Sequence, residues 1–165
     1  MTFDIGDKVI HYNFGFAEII GIEEKAISGV VEKYYVIKTN DMQIWIPYAN
    51  TNSGKLRAPS SKNDFLKFFS ILRSKYSPLP PERMIRKTQI QGRFSQGNTE
   101  STCTLIRDLS FYKNQSKLNE HDTTIYERAI HNLVDEWGFA FNIPIAQART
   151  ELNKLLTESY SVSKP

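Results

Sequence analysis

The sequence predicts an α+β protein: a small, strongly curved antiparallel β-barrel over residues 1–60, a bundle of about five helices over 61–158, and a loose tail at 159–165. Three observations lead there. The first sixty residues alternate short runs rich in β-branched and aromatic side chains with turn-forming residues. Beyond Asn63, apolar residues recur at helical spacing between prolines, asparagines and glycines. Basic residues crowd the stretch between these patterns.

The strand runs are Phe3 to Ile10, Asn13 to Ile20, Tyr34 to Lys38 and Gln43 to Pro47. Gly6-Asp7, Asn13-Phe14-Gly15, Ser28-Gly29, Asn40-Asp41 and Asn52-Ser53-Gly54 separate them, residues that tolerate the φ values of tight turns. Ser61 or Asn63 caps a first helix with an apolar face of Phe65, Leu66, Phe68, Phe69, Ile71 and Leu72, ending near Tyr76. Pro78 to Pro81 breaks it, and Pro81 suits the first turn of a second helix through Met84, Ile85, Ile90 and Phe94, closed by Gly97. A third starts at Asn98 or Thr99 and carries Cys103, Leu105, Ile106, Leu109 and Tyr112. Asn119, with Asp122 three residues on, caps a fourth that packs Ile125, Tyr126, Ala129, Ile130, Leu133, Val134 and Trp137 and is open to interruption at Gly138. The fifth begins around Pro144 and uses Ile145, Ala148, Leu152, Leu155 and Leu156.

A chain that is 40% hydrophobic and 12% aromatic can bury real cores, so disorder is not expected. No stretch has the run of apolar residues that a membrane span needs, and the expected location is cytoplasmic. The net charge of +3 decides little. Its distribution is more informative: residues 61–93 hold eight bases against Asp64 and Glu82. Such a concentration neutralises phosphates, which makes nucleic acid the first partner to consider, with a solvated helix face as the plain alternative.

Chemistry finds little support. Histidines at 11, 121 and 131 give one regular spacing, Glu127 with His131, and two ligands do not make a metal site. That pair reads as a hydrogen bond one helical turn apart. A Cys103 nucleophile with a histidine base would need Cys103 exposed beside His131 or His121, and no glycine-rich phosphate loop is present. No catalytic residue, metal or cofactor is expected.

Two features read as surfaces. In Met42 to Pro47, alternation sets Ile44 and Ile46 on one face and Gln43 and Trp45 on the other. If the isoleucines fill the barrel, Trp45 points outward as an anchor for a partner, and Pro47 is compatible with an edge strand open to strand addition. The alternative is that Trp45 covers the barrel end or the helical domain. The second feature is Arg83-Met84-Ile85-Arg86-Lys87, bases around two apolar side chains, a combination used to grip a groove and unstack a base step. The alternative places Met84 and Ile85 in the core.

These residues, in this order, resemble the CarD/CdnL family of bacterial transcription regulators. The resemblance rests on Phe3-x-x-Gly6-Asp7-x-Val9, Gly15, Gly21-Ile22-Glu23, Gly29, Tyr34-x-Val36-x-Lys38 and Ile44-x-Ile46-Pro47. The second half adds Gly97-Asn98, Leu105 to Leu109, Leu118-Asn119-Glu120, Ala129-x-x-x-Leu133 and Ala148. The first part is also similar to the polymerase-binding module of the transcription-repair coupling factor. The resemblance implies a Tudor/SH3-like N-terminal domain that docks on the RNA polymerase β subunit by strand addition. It also implies a helical domain that touches promoter DNA and stabilises the open complex, in a monomer held at the nucleoid through polymerase. Polymerase-binding residues would be Lys25, Ile44, Trp45, Ile46 and Pro47, with Trp45 where relatives often carry arginine. DNA-binding residues would be Arg83, Met84, Arg86, Lys87 and Arg93. Relatives place a wedge tryptophan where this chain has Arg83, and two arginines where it has Ile85 and Arg86. A contrasting expectation is a general nucleic-acid-binding protein acting without polymerase.

Overall fold

The computed structural model describes residues 2–49 and 55–163, so the expected turn at Asn52 to Gly54 lies outside the described residues. The chain divides into two compact units, Met1–Pro59 and Ser60–Pro165.

The first unit is one antiparallel sheet of β1 (Lys8–His11), β2 (Gly15–Ile27), β3 (Val30–Lys38), β4 (Gln43–Pro47) and β5 (Leu56–Arg57), in the order β4-β3-β2-β1-β5. Val9, Ala17, Ile19, Tyr35, Ile37, Ile46 and Leu56 share one buried cluster with Phe3. Ile46 and Leu56 come from opposite edges of the sheet. Both reach the same cluster, so the sheet is curled, as small sheets must be to close over a core. Two features set the curvature. The register slips by one residue between Ile19 and Gly21, a bulge that sharpens the local twist. Ser28 and Gly29 both take positive φ in the two-residue turn joining β2 to β3, the geometry that matches strand twist in a hairpin.

The second unit is helical: α1 (Lys62–Arg73), α2 (Arg83–Ser95), α3 (Thr99–Gln115), α4 (Glu120–Phe141) and α5 (Ile145–Ser163). Ser61 caps α1 in a reciprocal box with Asp64, Asn98 caps α3, and Asn119 caps α4 through the Asp122 amide. Among the described residues, twenty buried side chains, including Phe65, Leu72, Ile90, Leu105, Leu133, Trp137 and Leu152, form one core.

Three expectations change, and the alternative that placed Met84 and Ile85 in the core does not hold. The cap of α2 is Glu82, whose carboxylate accepts from the Met84 and Ile85 N–H groups, and Pro81 precedes it. Met84 and Ile85 are 62% and 60% exposed, because the face turned inward carries Arg86, Ile90 and Phe94 at intervals of four. Gly138 does not interrupt α4. It permits the turn that ends it: Ile143 N–H donates to the Gly138 carbonyl, and a Cβ at 138 would meet the Ile143 oxygen at 3.1 Å. Ser159 is fully buried and donates to the Ser74 carbonyl, so the expected tail from 159 is the last turn of α5 through Ser163.

Candidate functional site

Among the described residues, β4 pairs only with β3 and is an edge of the sheet. Its register with β3 runs from Lys38 opposite Gln43 to Tyr34 opposite Pro47. The turn closes with Thr39 N–H donating to the Met42 carbonyl. Antiparallel pairs alternate between bonded and non-bonded, so Ile44 and Ile46 bond to β3 while Gln43, Trp45 and Pro47 turn their main chain to the open side. That is where a proline costs nothing, since its missing N–H has no partner to lose.

The side chains alternate the other way. Ile46 is buried and Ile44 packs against the same core, so these two act through the strand they hold in place. Trp45 lies on the outer face, 39% exposed. Its indole N–H donates to Glu23 Oε2 at 2.8 Å, and Lys25 Nζ stands 3.8 Å from the ring centroid. Glu23 and Lys25 are two apart on β2, so both reach the face where Trp45 lies. The ring is therefore fixed before any partner arrives, and part of it faces solvent. The structure brings together Lys25, Trp45 and the exposed main chain of β4; Glu23, which orients the ring, had no local signal in the sequence.

The second candidate surface is the first turn of α2. Arg83, Met84, Ile85 and Lys87 are exposed side by side at its N-terminal end. Arg86 is not among them. Its Nε donates to Asp122 Oδ2 at 2.9 Å, its Nη1 donates to the Pro80 and Pro81 carbonyls at 3.2 and 3.0 Å, and its guanidinium lies 5.1 Å from the Tyr112 ring centroid. The expected phosphate contact at Arg86 is corrected on that ground: the residue is buried, and three of its five N–H donors are spent inside the protein. Arg93 is engaged in part, with Nη2 donating to Asp108 Oδ2 at 2.8 Å and the side chain 19% exposed. Asp108 also accepts from Arg107 Nε and from the Ser77 N–H, both at 2.8 Å. Taking one partner from a buried ion pair leaves an uncompensated charge and costs about 3–5 kcal/mol. Asp122 and Asp108 were missed as partners because they lie 36 and 15 residues from their arginines. The interval 86, 90, 94 was the signal available for Arg86.

The residues weighed for chemistry are occupied otherwise. Cys103 is fully buried, and burial pushes its thiol well above the ordinary range. It thus lacks the exposure a nucleophile needs. His131 Nε2 faces Asp135 Oδ2 at 3.2 Å, four residues on, in place of the expected Glu127. His121 Nδ1 faces Asp122 Oδ1 at 3.1 Å. Burial, and next the charge of Lys55, lowers the His11 pKa to about 4; its Nδ1 accepts from the Asn13 and Phe14 N–H groups and holds the β1–β2 turn. Among the described residues no group of three or more His, Cys, Asp and Glu is placed to hold a metal, and no helix is long and apolar enough to cross a membrane.

Comparison with known families gives two matches. A family model described as the CarD-like/TRCF RID domain matches residues 3–59. A second, described as CarD, C-terminal domain, matches residues 67–153.

Proposed function

The chain belongs to the CarD family, which makes it a transcription-related protein that interacts with RNA polymerase, and from this premise we propose how its two surfaces divide the work. The β4 edge docks on the polymerase β subunit. A strand of the subunit adds to the open side of Gln43, Trp45 and Pro47, and the oriented Trp45 ring takes an apolar contact beside it. The α2 end meets promoter DNA at the upstream edge of the melted region. Arg83 and Lys87 neutralise phosphates there while Met84 and Ile85 offer an apolar contact to an unstacked base step. Bound at both places, the chain holds the open complex together at initiation. Domains of this family are those of non-enzymatic transcription regulators, and the buried thiol of Cys103 fits that role.

The observation that carries the reading is Trp45, aimed outward from an edge strand and held by Glu23 and Lys25. Binding of the full chain to the isolated β lobe and to a forked promoter duplex, measured separately, tests it. Binding to both supports the proposal. Binding to the fork with none to the lobe replaces it with nucleic-acid binding that does not involve polymerase.

A further inference from the structure

The connection between α1 and α2, residues 74–82, contains three helix-breaking prolines, Pro78, Pro80 and Pro81, and both of its ends are fixed by buried charge. Near its start, Asp108 accepts from the Ser77 N–H, and Arg107, which itself donates to Asp108, donates to the Ser74 hydroxyl at 2.7 Å. Near its finish, the Arg86 guanidinium ties the Pro80 and Pro81 carbonyls to Asp122 on α4. Asp122 and Asp108 are each 1% exposed as side chains. Placing two charge clusters inside a small helical core is a poor way to gain stability, since apolar residues of like volume serve as well or better. What ionic hydrogen bonds provide is direction: a guanidinium fork fixes several acceptors in one plane.

We propose that Asp122 and Asp108 are positioning residues: Asp122 acts through Arg86, and Asp108 acts directly on Ser77 and through Arg107, to hold the 74–82 connection rigid and so aim the exposed first turn of α2. The turn contains its own marker of alignment. Glu82, next to Pro81, receives the Met84 and Ile85 N–H groups at 3.0 and 2.8 Å, and those bonds pull its carboxyl below the usual carboxylate range. If the Pro80 and Pro81 carbonyls are released, Glu82 swings with them and the cap opens. Arg83, Met84, Ile85 and Lys87 then lose a common orientation without any change in the core beneath.

That this turn meets DNA rests on the proposed function; the clamp itself does not. Amide exchange at Met84 and Ile85 is followed in the full chain. Arg86→Lys keeps a positive charge facing Asp122 but has no fork for the two carbonyls, and exchange at both amides should quicken by about tenfold or more, the size of one or two lost charged hydrogen bonds. Leu152→Val, in the core on α5, should lower the thermal midpoint without quickening them. Arg86→Met combined with Asp122→Leu replaces the pair by apolar volume, and should retain the thermal midpoint while the two amides exchange fast. Wild-type exchange in Arg86→Lys or in the double variant, or equal acceleration by Leu152→Val, would overturn the proposal. Fork binding of the wild type separates the two ideas: fast exchange in the variants with no fork affinity in the wild type leaves the clamp standing and removes the DNA reading.

Discussion

Replacing Trp45 with alanine probes the docking strand most sharply, because the structure sets the size of the effect in advance. Trp45 keeps 39% of its surface exposed. An aromatic side chain of roughly 150–250 Å² then leaves about 60–100 Å² for a partner to cover, worth about 1.5–2.5 kcal/mol at roughly 25 cal/mol per Å². Affinity for the isolated β lobe should fall about ten- to sixtyfold. The cost to the fold is set by the covered part of the ring, roughly 90–150 Å² and so about 2–4 kcal/mol on the same scale. A surface hydrogen bond to Glu23 and a cation–π contact with Lys25 add about 1 kcal/mol. For a unit of this size the thermal midpoint should drop by about 10 °C or more, and the titration is run below the variant's own midpoint. Titration of the lobe by calorimetry, paired with thermal melts of the free chain, reads both quantities. Unchanged affinity with that loss of stability would refute the reasoning and return Trp45 to the sheet as a structural residue.

Arg83→Ala with Lys87→Ala should weaken forked-duplex binding alike for different sequences and flatten its dependence on log salt by about 0.9 per lost phosphate contact; an unchanged slope would make these bases a solvated face. Arg83→Trp should lengthen the open-complex lifetime under competitor challenge, since base stacking on an aromatic is worth about 1–3 kcal/mol, and a shorter lifetime would show that the wedge lies elsewhere. His11 gives a pH dependence of defined sign. Its pKa is about 4 in the fold against 6.5 free, so the unfolded chain binds the extra proton between those values, and the contribution present above pH 6.5 is lost as pH falls towards 4. Urea melts at pH 4.5 and 7 should show a fall of about 1–2 kcal/mol from this group in wild type and a shallower one in His11→Gln, and parallel falls would contradict it.

Much of this molecule was legible because its signals are local. Ser61 with Asp64, Asn98, and Asn119 with Asp122 are helix starts written within four residues, and Ser28-Gly29 is a hairpin turn written in two. Alternation set Trp45 on the face opposite Ile44 and Ile46, and Pro47 was compatible with the edge position that β4 takes. What stayed hidden depends on partners distant in sequence. Residues 61–93 read as a positive field, yet Arg86 and Arg93 spend their charge on Asp122 and Asp108 of other helices, and a count of bases cannot distinguish a paired charge from an exposed one. Met84 and Ile85 were grouped with Ile90 and Phe94 as apolar residues, when the fourfold interval from Phe94 leads through Ile90 to Arg86. Ser159 looked like part of a polar tail; its burial comes from the Ser74 carbonyl, 85 residues away.

The central claim is that polymerase is engaged by strand addition at β4, and amide exchange on the full chain with and without the isolated β lobe tests it most directly. The amides of Gln43 and Trp45 face the open side of the strand, so the lobe should slow their exchange strongly while leaving those of β5, at the opposite edge, near their free rates. Protection at β5 or on the helices, with Gln43 and Trp45 exchanging as in the free chain, would contradict the account.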